Sequence, residues 1–108
     1  MDTKKRYVTK LLARYTALPG TLRRTLREDR RLAAEFFQRG ISLDTVENAF
    51  VLATARRTLR SNTDRLEPIR SLHYFTPLIQ ELIEEPPLPE YLDYLKNRLI
   101  GAGVYPPA

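Results

Sequence analysis

The sequence predicts an all-α fold, a single compact bundle of about five helices over residues 1–108. Three observations carry that prediction. Apolar side chains recur three and four positions apart in successive stretches, the spacing that lays one stripe along a helix. Those stretches are bounded by residues that start and stop helices, Ser, Thr or Pro before them and Gly or Pro after them. A strand pattern is missing, with no useful run of period-two alternation and no Asn-Gly turn.

The first element runs from Thr3 to about Leu18, with Val8, Leu11, Leu12, Tyr15 and Leu18 on one stripe. Thr3 is placed to cap it, and Pro19-Gly20 ends it. Lys4, Lys5, Arg6, Lys10 and Arg14 fall on its other side, which makes the helix basic and amphipathic. Thr21–Leu26 is a basic connector. A second helix starts at Thr25, where Thr25-x-x-Glu28 fits a capping box, and runs to Arg39 with Leu32, Ala33, Phe36 and Phe37 inward. Gly40 supplies the left-handed stop.

Ser42 caps a third helix, Leu43 to about Leu59, with Asp44 in the first turn where the helix dipole favours an anion. Val46, Ala49, Phe50, Val51, Leu52, Ala53, Ala55 and Leu59 leave it apolar over most of its circumference, so it belongs at the centre. The polar run Ser61–Arg65 divides the chain, and residues 61–67 read as a hinge between two helical halves rather than a domain boundary. Pro68 opens a fourth helix with Ile69, Leu72 and Phe75 on one face. Pro77 kinks or breaks it, and Thr76 caps a restart through Leu78, Ile79, Leu82 and Ile83. After Glu84-Glu85-Pro86-Pro87, Pro89 opens a last helix with Tyr91, Leu92, Leu95 and Leu99 inward, stopped by Gly101. The expected core is Phe36, Val46, Phe50, Ala53, Leu59, Leu72, Phe75, Ile79, Leu92 and Leu95.

Composition removes several classes of function. With no cysteine there is neither a disulfide framework nor a thiolate metal site or nucleophile. His73 is the single histidine, too few for a histidine-rich metal centre. No apolar run is long enough to span a bilayer, and charges interrupt residues 1–14 where a signal peptide would be apolar. The expectation is a cytoplasmic protein without a membrane partner. The basic first helix has the amphipathy to lie on an anionic membrane but lacks tryptophan and phenylalanine.

Charge is distributed unevenly. Residues 1–60 hold 14 Lys/Arg against 6 Asp/Glu, while residues 61–108 hold 4 against 7. Arginine outnumbers lysine 14 to 4. Guanidinium groups bind phosphate bidentately, so this half suits a nucleic-acid surface; codon usage in a GC-rich genome would give the same excess without one. Arg23, Arg24, Arg27, Arg30 and Arg31 form the densest set, and on a helix Arg23, Arg27, Arg30 and Arg31 would share a face. Arg57, with Arg56 and Arg60, ends the central helix, where it also complements the dipole. Tyr7 and Tyr15 are candidate stacking rings for single strands, with Tyr15 better suited to the core.

The stretch Gly40-Ile41-Ser42-Leu43-Asp44-Thr45-Val46-Glu47-Asn48-Ala49-Phe50 resembles the turn and second helix of helix-turn-helix DNA-binding proteins, in which glycine turns, serine caps and valine packs. Phe36, Glu35 and Arg39 depart from that pattern, and Asp44 and Glu47 stand where DNA phosphates would lie. A plain helical hairpin is the other reading of the same residues. The segments Pro68–Pro77 and Pro87–Leu95 are similar to the C-terminal stretch of small helical proteins that accompany bacterial replication and mobile-element genes. That resemblance implies a role near DNA and carries no site residue.

His73-Tyr74 offers an acid–base pair, yet no nucleophile or carboxylate partner is set up beside it in the sequence. Glu81, Glu84, Glu85, Glu90 and Asp93 lack a Glu-x-x-His pair and read as a solvated face, or as one that docks on the basic half. No Gly-rich phosphate loop or Gly-x-Ser-x-Gly elbow occurs. The expected function is therefore non-enzymatic and without a cofactor: a nucleic-acid-binding accessory module, DNA being the favoured partner, that contacts phosphates through Arg23, Arg24, Arg27, Arg30, Arg31 and Arg57. The alternative is a protein–protein interaction domain of a larger replication or recombination assembly, in which the arginines meet an acidic partner or the Pro86–Pro89 corner and exposed tyrosines form the patch.

Overall fold

Helices α1 (Thr3–Ala17), α2 (Arg27–Gln38), α3 (Leu43–Thr58), α4 (Thr76–Glu84) and α5 (Pro89–Gly101) order the chain, with a 3₁₀ turn at Leu72–Phe75 before α4. The computed structural model describes residues 3–60 and 65–105, so most of the expected hinge, 61–64, lies outside the described residues. The fold is all-α. Among the described residues the one β-type pairing is an isolated parallel bridge between Thr21 and Ile69.

Helix α3 is central, as its composition requires. Eight of its residues are buried, Val46 and Ala49 through Ala55 without a break, and it packs on α1, α4, α5 and the 3₁₀ turn. Ser42 caps it, its Oγ accepting the Thr45 N–H at 3.1 Å. The turn before it is made by Gly40 at φ +73°, a left-handed conformation that a side chain would strain. Helix α2 lies on α1 and the 3₁₀ turn, burying Leu32, Ala33 and Phe36.

One apolar cluster runs from Tyr7 on α1 to Leu99 on α5. Phe75 is its hub: fully buried, it meets the Phe50 ring edge-on at 4.8 Å and the Tyr15 ring at 6.0 Å. A 3₁₀ turn thereby locks α1 to α3. The expected core residues are buried except Leu59, which is half-buried and packs against the cluster.

Five local expectations are corrected. Residue 26, not 25, is the cap position of α2, and the side chain that reaches back is Asp29 rather than Glu28. Pro68 does not open a helix: residues 65–71 form an irregular arm, and its Ile69 N–H donates to the Gly20 carbonyl at 2.7 Å. Pro77 therefore kinks nothing. It sits in the first turn of α4, where its missing N–H costs no bond. At the C-terminus α5 includes Gly101, and the left-handed residue is Gly103; Tyr91 is exposed rather than inward.

Candidate nucleic-acid interface

The arginine set divides at the start of α2. Residues 23–26 are not helical, and Arg23 has a left-handed backbone with φ +60°. Its N–H meets the Thr21 hydroxyl at 3.3 Å and its guanidinium approaches the Ala17 carbonyl at 3.5 Å. Arg23 is thus on the connector and does not extend the helical face, a correction to the sequence reading. Arg27, Arg30 and Arg31 do share a face, within an arc of about 100° at 100° per residue. Glu28 and Glu35 fall on one flank of that arc.

Arg24, Arg27, Arg30 and Arg31 are exposed, and among the described residues none has a carboxylate partner. The acidic helices do not cover them. Among the described residues the polar side-chain contacts that cross from α4 to the basic half are Arg56 to Glu81 at 3.4 Å and Arg39 to Gln80 at 3.3 Å. Free guanidinium groups on a supported backbone are what phosphate contact needs, because no intramolecular pair has to break first.

The support comes from Asp29. Its side chain is fully buried between those arginines in sequence, one oxygen accepting the Leu26 N–H and the other the Leu72 N–H, both at 2.8 Å. One carboxylate therefore ends α2 and ties it to the 3₁₀ turn. The sequence reading missed this residue. An Asp three positions after an uncappable Leu is the available signal, but its second partner lies 43 residues away.

Arg57 is not a free phosphate ligand. Its guanidinium donates to the Glu67 carbonyl at 3.0 Å and stands 5.9 Å from the Tyr74 ring centre. It also packs against Gly20, where a Cβ would come within 3.1 Å of it at a backbone φ of +88°. Arg57 holds the connector against residues 67–74, a tertiary role beyond the dipole complement its position at the end of α3 suggested.

The stacking rings proposed from sequence are unavailable to a ligand. Tyr15 is fully buried, and Tyr7 is buried with its hydroxyl donating to the Ile41 carbonyl at 2.8 Å. Burial raises both phenol pKa values, that of Tyr15 to about 12 with the negative charge of Asp29 as a second cause. The Tyr15 hydroxyl has no hydrogen-bond partner among the described residues.

The helix-turn-helix likeness holds for the turn and cap but not for the role of its second helix. A recognition helix presents its first turns to a groove, and in α3 those turns carry the exposed Asp44 and the half-buried Glu47, while residues 49–55 are buried without a break. Its early acid Glu47 is taken up in an ion pair with Arg14. His73 is exposed, with neither a carboxylate nor a nucleophile bonded to it among the described residues. No group of three or more His, Asp or Glu among them could hold a metal ion. No described helix is long and apolar enough to cross a membrane.

Comparison of the chain with protein-family models, with curated proteins and with solved structures finds no match.

Proposed function

We propose that the chain is a non-enzymatic nucleic-acid-binding module that grips phosphates through the connector and first turns of α2, with Arg23, Arg24, Arg27, Arg30 and Arg31 as its contacts. Arg57 acts behind that surface by holding the connector in place. The observation that carries the reading is the row of exposed arginines without carboxylate partners among the described residues, set on a backbone pinned by the buried Asp29. On the sequence resemblance of the C-terminal segments alone, DNA is the proposed ligand and replication or mobile-element maintenance the proposed setting.

The reading is tested by reversing charge at Arg27→Glu and Arg30→Glu together. Both side chains are exposed and bond to nothing among the described residues, so the helical circular-dichroism signal is expected to stay intact. Binding to labelled oligonucleotides, followed by fluorescence anisotropy, is expected to disappear. Unchanged binding by the double variant would sink this surface as the contact.

A second reading rests on α5, where Leu88 (71% exposed), Tyr91, Tyr94 and Ile100 present apolar and tyrosine surface. Such residues suit a protein partner. A wild-type chain that ignores every oligonucleotide at low salt would leave that reading in place of the first.

A further inference from the structure

The fold carries a ring to the arginine surface that the sequence did not place there. Leu72 and Phe75 are both fully buried, so the intervening His73 and Tyr74 must turn outward. Two bonds fix where they emerge. The Leu72 N–H sits on Asp29, inside the first turn of α2, and the Ile69 N–H sits on the Gly20 carbonyl, at the start of the connector. Arg57 spans the remaining gap, touching Gly20 on one side and facing Tyr74 on the other.

Tyr74 is exposed yet braced. The Phe75 ring meets it at 5.1 Å and 73°, and the Arg57 guanidinium lies 5.9 Å from its centre, at the outer edge of cation–π range. Even so, 45% of the residue remains open to solvent. A ring held this way has little conformational freedom left to lose when something stacks on it. The two bonds bring the segment that carries Tyr74, Arg70 and Glu67 to the connector and first turn of α2, which carry Arg23, Arg24, Arg27 and Glu28. Glu67 is reached by Arg70 at 3.8 Å, and the Glu67 backbone already serves Arg57.

We infer that Tyr74 is a base-stacking platform beside the arginine row, and that the ligand of this surface is single-stranded nucleic acid. The inference rests on the phosphate-binding reading above and adds the class of strand to it. Guanidinium groups alone hold duplex and single strand by the same phosphates. An open aromatic face beside them adds an interaction only for an unpaired base, because bases in a duplex have their faces covered by their neighbours. The site is composite: phosphate contacts come from residues 23–31, and the base contact comes from residue 74.

The test uses the full chain with a labelled oligothymidylate and a labelled duplex of equal length. Wild type is expected to prefer the single strand. Tyr74→Ala is expected to weaken single-strand binding by about five- to hundredfold while leaving duplex binding unchanged, and Tyr74→Phe to keep wild-type affinity. Because the chain has no tryptophan, Tyr74→Trp supplies a unique emission signal, which single strand quenches and duplex leaves alone. Equal loss on both ligands, or no loss on either, would overturn the stacking role while the arginine surface stood. No binding of either ligand by wild type would overturn the phosphate surface itself, and equal affinity for a polyglutamate peptide would show that the surface reads charge alone.

Discussion

Around α2 and the 3₁₀ turn, directed bonds cross between distant segments: Tyr7 to Ile41, Asp29 to Leu72, Ile69 to Gly20 and Arg57 to Glu67. Helices α4 and α5 are held differently. They begin without a side-chain cap and meet α3 mainly through Ile79, Leu82, Leu92, Leu95 and Leu99, with the exposed Arg56–Glu81 pair at the surface. A hydrogen bond fixes the position of two backbones relative to each other, whereas apolar packing sets mainly volume and area. The half that carries the arginines is therefore geometrically pinned. The other half is held by burial and specified less sharply, and it leaves Leu88, Tyr94 and Ile100 more than half exposed. On the proposed phosphate-binding reading, guanidinium groups that meet a fixed phosphate spacing would benefit from such a rigid base.

The sharpest way to break that contrast is to remove its central tie. Asp29→Ala leaves the Leu26 and Leu72 N–H groups without partners, the latter in a buried bond, and is expected to cost roughly 3 kcal/mol by urea denaturation. Asp29→Asn, which keeps one acceptor oxygen, is expected to lose less. A variant as stable as wild type would mean that the tie contributes nothing and that packing holds both halves alike.

A smaller effect sharpens the comparison from inside the pinned half. The Tyr15 hydroxyl is buried beside that network but bonds to nothing within it, so Tyr15→Phe is expected to be neutral or to stabilise by about 1 kcal/mol. Its pH dependence has a definite sign. Tyr7 and Tyr15 hold their protons more tightly when folded than the ordinary phenol value of 10 allows, Tyr15 up to about 12. Stability is thus whole below about pH 10 and falls as pH rises through 12. Circular dichroism across that window should place the alkaline transition of Tyr15→Phe above that of wild type. A destabilised Tyr15→Phe would mean that the hydroxyl has a partner after all.

Helices with a regular stripe and local caps were legible from residues alone. Helix α1 ends where Pro19-Gly20 says it should, and Ser42 caps α3. The arm at 65–71 was not legible, for a physical reason. Ile69, Leu72 and Phe75 have the three-residue spacing of a helical stripe, and all three are buried, but Ile69 is buried from an irregular segment paired with the connector. That pairing joins residues 48 apart in the chain, beyond the reach of any local pattern. The interface divides the same way. Arginine type and density could be read directly, but the engagement of Arg57 with Gly20 and Tyr74 follows from tertiary contact. Tyr74 read as half of a His-Tyr pair, and only the burial of both its neighbours at 72 and 75 turns it outward.

The most direct measurement is the salt dependence of oligonucleotide binding by the wild-type chain. With four exposed arginines on α2 and its connector that have no carboxylate partner among the described residues, micromolar or tighter binding with a log–log salt slope of about −4 is expected. Absence of binding at about 50 mM salt, or a slope near zero, would contradict the arginine surface as a phosphate-binding site.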